Sequence, residues 1–254
     1  MRNARHSGTL GDLIYSLSIL RKFEGPINFQ VALHNIENCV AKYGYKPEEV
    51  DPAHKGRFTE KDFELLGPLL ARQSYIQEVS TWKQGDLEPD VDLDHFRGTL
   101  FRGFEGNYVQ AYYMAFGIPF EPAILGLDWL EADPLEVKPI VISRTPRYRC
   151  PNGDESWKQL MTQTGVVDSA IFVGTEEEHA DFCRVTNTTI PHHVVEDFLE
   201  LANVVAGAQV VAANQNFVYS LAMGLGKPAI LETIKIKPLE QNECYFPRTN
   251  CQYF

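Results

Sequence analysis

Apolar positions along the chain follow two periods that take turns. A polar opening run, residues 1–7, supplies a short first strand. HSGTLGDLIYSLSILRKF then places Leu13, Ile14, Leu17 and Leu20 at helical spacing, which predicts a helix from about Asp12 to Phe23. Gly8 and Gly11 break the chain ahead of it, and Asp12 is of a type that caps helices. NFQVAL (28–33) reads as a strand. Strand, glycine turn, helix, strand is the pattern of a parallel α/β unit.

The polar segment 35–58 gives no assignment. FTEKDFELLGPLLARQ predicts a helix opened by Thr59 with a break near Gly67-Pro68, and YIQEVSTW predicts a strand. QGDLEPDVDLDHFRG reads as a short strand followed by loop, and Asn107 to Phe116 as a helix. EPAILGLDWLEADPLEVKP is rich in proline and acids and reads as an interdomain linker. Beyond it the pattern runs β-α-β-α-α-β-α-β. The strands are IVIS (140–143), SAIFVG, QVVAAN and KPAILE; helices lie around 157–164, over TEEEHADFCRVT, over 195–205 and over NFVYSLAMGLG. That alternation predicts a doubly wound sheet. The division expected is an N-terminal Rossmann-like domain over 1–133 and a C-terminal one over 134–254.

Composition narrows the partners. Over 254 residues the chain is 44% hydrophobic with a formal charge of −11, ample for a core and strongly acidic. An acidic surface repels phosphate backbones, so unmodified nucleic acid is disfavoured as a partner. The five cysteines (39, 150, 183, 244, 251) are scattered, with no CxxC pair, which fits free thiols in a reducing cytoplasm and gives no zinc spacing. No apolar run is long enough for a membrane span or a signal peptide. No feature sets an oligomeric state.

In open α/β sheets ligands sit at the carboxyl ends of strands, where helix N-termini point. Four segments fall there. In SGTLGD, Gly8 and Gly11 let backbone approach a ligand, and Asp12 either accepts a proton from a hydroxyl or caps the helix. In SRTPRYR, Arg144, Arg147 and Arg149 crowd a strand end with Ser143 and Thr145, a phosphate-binding chemistry that competes with a solvated basic loop. In VGTEEEHADF, the backbone of Val173 and Gly174 suits a base edge, and one of Glu176 to Glu178, taken as Glu177, suits a ribose; acids in a first turn also simply complement the helix dipole. In AANQNF, Asn214, Gln215 and Asn216 form a turn that holds a pyrophosphate or merely caps a helix, Phe217, Leu221 and Leu225 are core, and Glu232 ends the next strand within reach of a ribose. Asp92, Asp94 and His95 of DLDHFRG make a weak metal cluster; a salt bridge to Arg97 accounts for them better. The histidines 192 and 193 have no assigned role. The spacing is not GxGxxG, and GxSxG, HExxH and Walker A are absent.

Two of these blocks, HSGTLGDLIYSLSILRKF and VEDFLELANVVAGAQVVAANQNFVYSLAMGLGKPAILE, resemble in order and spacing the group that includes ADP-heptose:lipopolysaccharide heptosyltransferases. The resemblance implies a GT-B-like α/β fold, two Rossmann-like lobes with a cleft between them. It implies an inverting, metal-independent glycosyltransferase with no cofactor beyond its nucleotide-sugar substrate. Asp12 matches the catalytic carboxylate, Ser143, Arg144 and Thr145 match the phosphate-contacting strand end, and one of Glu176 to Glu178 matches a ribose-binding acid. The partners implied are an ADP- or UDP-sugar and a hydroxyl acceptor: a saccharide, a lipid-linked sugar or a hydroxylated nucleobase, the last needing a basic groove from Arg97, Arg102 and the 144–149 arginines. Two departures stand out: Asn214-Gln215-Asn216 replaces the group's Asp-Ser/Thr-Gly turn, and the chain is shorter than typical members. The rival expectation is a non-catalytic nucleotide or sugar-phosphate binding protein on the same fold.

Overall fold

The structure, a computed structural model, describes residues 1–33, 58–83, 85–100, 103–234 and 238–254. Residues 35–57, with Cys39, and Arg102 lie outside the described residues. The chain forms two compact units, Met1–Phe104 with Val109–Phe120, and Glu105–Tyr108 with Glu121–Phe254.

The first unit is a parallel sheet of four strands, β1 (Arg2–His6), β2 (Ile27–Ala32), β3 (Ile76–Trp82) and β4 (Val91–Asp92), in the order β3-β2-β1-β4. Ala4 pairs with Phe29 on one side and with Val91 on the other. Helix α1 (Leu10–Leu20) packs on it with every residue from Leu13 to Leu20 buried, including the predicted stripe. It starts two residues earlier than the sequence suggested. Thr9, not Asp12, is the N-cap, in extended backbone with its hydroxyl accepting from the Asp12 N–H, so Gly11 is helical rather than a breaker. Helix α2 (Glu60–Ala71) opens on a Thr59–Asp62 capping box and runs through Pro68 without the expected break, because Leu69 and Leu70 beyond the proline are fully buried and hold the last turn. The predicted loop after β4 is instead a single 3-10 turn, Leu93–His95, leading into α3 (Phe96–Leu100); α4 (Tyr108–Ala115) follows.

The second unit is a parallel sheet of five strands, β5 (Ile140–Ser143), β6 (Ala170–Phe172), β7 (Val210–Asn214), β8 (Ala229–Glu232) and β9 (Cys251–Tyr253), in the order β6-β5-β7-β8-β9. Between them lie α5 (Gly153–Met161), α6 (Val166–Ser169), α7 (Glu176–Thr186), α8 (Phe198–Gly207) and α9 (Phe217–Gly224). Ile142, Trp157, Met161, Phe172 and Phe182 centre its core. On α9, Leu221 is core as expected, but Phe217 and Leu225 are only half-buried; Val218, Tyr219 and Met223 carry the inner face. β9 has no counterpart in the sequence pattern, since three residues are too few to show a period. The proline- and acid-rich stretch belongs to this unit: Trp129 and Leu130 are buried and both donate to the Gly224 carbonyl. Among the described residues, no helix is long and apolar enough to cross a membrane.

Both sheets reverse direction beside their first strand. The chain goes from β1 outward through β2 and β3, then returns to β4 on the other side; likewise β5 leads to β6, and β7 returns opposite. Loops leaving β1 and β4, or β5 and β7, therefore diverge and leave a switch point at the strand ends, the ligand position of such sheets.

Leu135 crosses α8 so closely that a Cβ on Gly207 would overlap the Leu135 carbonyl and sit 2.8 Å from the Glu136 nitrogen. Gly207→Ala should lower stability by about 1–3 kcal/mol, seen as a lower urea midpoint at unchanged slope; an unchanged midpoint would mean the crossing segment simply moves away.

Candidate functional site

Each switch point carries a polar cluster. At the first, β1 ends in His6, which is fully buried. The Gly8 N–H donates to His6 Nδ1 at 2.9 Å, so the proton sits on Nε2, which donates to the Tyr112 hydroxyl at 2.8 Å. Tyr112 in turn donates to the Asp12 backbone carbonyl at 3.0 Å. Phe96 stacks on Tyr112 with ring centroids 4.2 Å apart, tying α3 to α4. The 3-10 turn after β4 aims Asp94 at β1, where it accepts from the Ser7 hydroxyl (2.7 Å) and backbone N–H (3.3 Å). One helical turn on, Arg97 reaches both acids: Nη2 lies 3.0 Å from Asp12 Oδ2 and Nε 3.5 Å from Asp94 Oδ1.

This crowding explains Gly8. A Cβ there would overlap the Arg97 guanidinium and lie 2.5 Å from the His6 ring and 3.1 Å from Asp12 Oδ2. The glycine serves close approach, though of side chains within the protein. Burial pushes the Asp12 carboxyl above its ordinary range, against the opposing pull of Arg97 and of the Thr9 N–H and hydroxyl. A carboxylate that resists ionisation is a better proton acceptor once ionised. Asp92 does not join this set; it pairs with Arg5 at 2.9 Å, whose guanidinium lies over Trp82.

At the second switch point several expectations need correction. Arg144 and Glu232 are both fully buried and bind each other through two bonds, Nε to Oε2 at 2.7 Å and Nη2 to Oε1 at 2.8 Å. Arg144 also donates to Asp154, and Glu232 accepts from the Cys150 N–H and the Trp157 indole at 2.8 Å. Burial works against the Arg144 charge, but its bonds to Glu232 and Asp154 outweigh it and hold its pKa up. Neither side chain is left to meet phosphate or ribose; both point under α5, where Gly153 has no side chain to obstruct Glu232. Arg149 is likewise committed, at 2.6 Å from Asp181 and 2.9 Å from the Thr145 carbonyl, and with Arg184 it holds Asp181 below its usual range although burial acts the other way. Arg97 and Arg144, expected to furnish a basic groove, are each paired to acids.

All three residues of the amide turn bond within the protein. Asn214 is buried and clamps the loop after β5, accepting from the Thr145 N–H at 3.0 Å and donating to the Thr145 and Arg147 carbonyls at 3.1 and 2.6 Å. Asn216 caps α9, accepting from the Tyr219 N–H, and donates to Ser143 Oγ at 3.1 Å. Gln215 bridges Asn242 and the Ile234 N–H. The Val173 N–H is used by the Ile142 carbonyl, and the Gly174 carbonyl by His192, so neither faces a base edge unpaired. Glu178 closes the α7 capping box onto Thr175, while Glu177 stays exposed, its pKa lowered by its own backbone N–H and by Thr175.

What remains at this strand end is Arg147, Thr145 and Glu177. Arg147 is exposed, no carboxylate pairs with it among the described residues, and its guanidinium lies 4.8 Å over the Tyr148 ring. Tyr148 holds φ at +57°, a left-handed backbone unfavourable for an aromatic residue, directly after the Thr145–Arg147 stretch that Asn214 clamps. The roles of His6, Ser7 and Tyr112 had no sequence signal. The acids of DLDHFRG were visible, and so was the link to Arg97, but their approach to Asp12 depends on β4 lying beside β1.

No family model and no curated protein matches the chain. Solved structures do. A glycosyl transferase of family 9 from Veillonella parvula aligns with TM-score 0.60 at 11% identity, over 99% of this chain and 84% of its own. The E. coli heptosyltransferase WaaC, solved with ADP, aligns with TM-score 0.59 at 12% identity, over 99% and 92%. The iron-containing dodecameric glycosyltransferase TibC of enterotoxigenic E. coli aligns at 0.51 and 12%, with 61% of its length covered. At such identities the likeness establishes the fold: two Rossmann-like α/β lobes of the GT-B-like kind found in glycosyltransferases.

Two outcomes test the clusters. Glu232→Ala strands the buried Arg144 charge and should cost about 3–5 kcal/mol, whereas Arg144→Met with Glu232→Leu should recover most of that in urea denaturation. For Asp12 the sign follows from its raised folded pKa. The stability its protonated form contributes is complete below the unfolded value near 3.8 and lost as pH rises through the folded one. Asp12→Asn should therefore be no less stable than the native protein at pH 7, with a flatter dependence of Tm on pH across that window.

Proposed function

We propose that the protein is a glycosyltransferase that moves a sugar from a nucleoside-diphosphate donor to an acceptor hydroxyl, with Asp12 as general base. The observation that carries this reading is the Asp12 cluster: a carboxylate on the first turn of a helix, at a sheet switch point, kept buried beside an arginine. A carboxylate that served only to cap the helix would have no need of Arg97, and Thr9 already fills that role. The fold shared with glycosyltransferases supports the reaction class. The ADP and ADP-2-deoxy-2-fluoro heptose in the WaaC structures support an ADP-sugar as donor.

In the reaction, the acceptor oxygen attacks the anomeric carbon from the face opposite the diphosphate and inverts it. Its proton passes to the Asp12 carboxylate as the new C–O bond forms. The old bond to the diphosphate oxygen breaks, and the leaving group departs with the electron pair. Arg147, the Thr145 hydroxyl and the N-terminus of α9 are assigned to the departing charge, and Glu177 to the ribose. This reading asks no metal or cofactor of the protein, so chelator-treated enzyme should keep its turnover. The free thiols Cys150, Cys183, Cys244 and Cys251 suit a cytoplasmic setting.

A second reading, nucleotide binding without catalysis, draws on Asn214 and Asn216, whose amides are spent inside the protein. Asp12→Asn separates the two. Under the first reading turnover falls by about 10²–10⁴-fold while donor binding persists. Under the second there is no turnover to lose. Binding is read by thermal shift over ADP, UDP and their sugars, since a ligand at about 100 times its Kd adds about 2.7 kcal/mol. If no nucleoside diphosphate shifts the melting point, the donor assignment falls.

A further inference from the structure

We infer that Arg97 is a positioning residue that fixes the Asp12 carboxylate in place and in its ionised form, held in turn by the Ser7–Asp94 pair. The inference deepens the proposed reaction and rests on the reading of Asp12 as base.

The geometry is a bracket in three parts. Asp94 is anchored to β1 by two donors from Ser7, at 2.7 and 3.3 Å. Arg97, three residues further on, extends from that anchor and meets Asp12 Oδ2 at 3.0 Å. A guanidinium is planar and rigid, so its hydrogen bond to Asp12, made while Nε lies 3.5 Å from Asp94, limits where the Asp12 carboxylate can sit. Nothing else among the described residues brings positive charge to Asp12.

The groups facing Asp12 can be taken element by element. From β1 comes His6, whose Nδ1 accepts from Gly8 and whose Nε2 is turned to Tyr112, so it stands neutral. From the loop come the Thr9 N–H and hydroxyl. From the turn after β4 comes Asp94, a second negative charge. From α4 comes the Tyr112 hydroxyl, directed to the Asp12 main chain rather than its carboxylate. From α3 comes Arg97 alone. Among the described residues, Arg97 thus lies within ion-pair distance of both acids, in a site where Asp12 is only 13% exposed. Burial favours a protonated Asp12, which could accept nothing from an acceptor hydroxyl. Arg97, joined by the Thr9 N–H and hydroxyl, opposes it. The space for it exists because residue 8 has no side chain.

The test needs no substrate. The Asp12 carboxyl 13C shift is followed against pH in the native protein, in Arg97→Gln and in Arg97→Lys, with near-UV circular dichroism as a check on packing. Arg97→Gln should raise the Asp12 midpoint by at least about one pH unit. Arg97→Lys keeps the charge but loses the fork, and should fall between. An Asp12 midpoint that is the same in all three overturns the inference. If Arg97→Gln does not fold, Arg97→Lys decides alone, since an unchanged midpoint there together with an unchanged Asp12 line width leaves the fork without a role. The reading of Asp12 as base is judged separately, by hydrolysis of ADP- and UDP-sugars: wild-type turnover in Asp12→Asn removes the base assignment, while the titration still reports whether Arg97 holds the carboxylate.

Discussion

Parallel pairing beside the first strand of each sheet is the constraint from which the rest follows. A parallel strand must be reached by a crossover, so the chain leaves β1 on one side and comes back to the other only after two more strands. Its loops must part at that place. Side chains that arrive there come from segments far apart in sequence: Ser7 with Asp94, Asp12 with Arg97, Thr145 with Asn214. No single helix or hairpin could bring these groups together.

The two clusters use charge in opposite ways. Arg144 and Glu232 satisfy each other so fully, with Trp157 and Cys150 taking what is left of the carboxylate, that the pair behaves as part of the core. Such a pair tolerates no loss of one member and gives nothing to a ligand. At the first switch point Arg97 lies within ion-pair distance of two acids, and burial leaves Asp12 reluctant to ionise. Perturbed titration in a place where ligands bind is the usual mark of chemistry. A fully matched buried pair is the mark of architecture.

Much of the α/β alternation was legible because strands such as IVIS and VVAAN are short, apolar and flanked by turns, and because α1 repeats leucine and isoleucine at helical spacing. The switch-point loops were legible as well, since glycines, arginines and amides stand out after apolar runs. What the sequence could not separate was a side chain aimed at a ligand from one aimed inward. Arg144 and Arg147 look alike in SRTPRYR, yet one is sealed under α5 and the other is exposed. Asn214 and Asn216 look like ligand donors, yet strand register turns one onto a neighbouring loop and the other onto a helix end. Asp12 looked like a cap, and only the position of Thr9 frees it from that duty. β9 was invisible because three residues carry no period.

The clamp ahead of Tyr148 sets how the second switch point can behave. Asn214 grips the Thr145 and Arg147 carbonyls just ahead of a residue in left-handed backbone, so that stretch of the loop cannot swing without breaking its bonds to the end of β7. On the proposed reading of Arg147, a ligand would meet a surface already ordered and lose little entropy in arranging it. On the same reading such a loop selects by fit rather than by folding around its guest, and differences in affinity among related nucleotides would lie mainly in how quickly they leave.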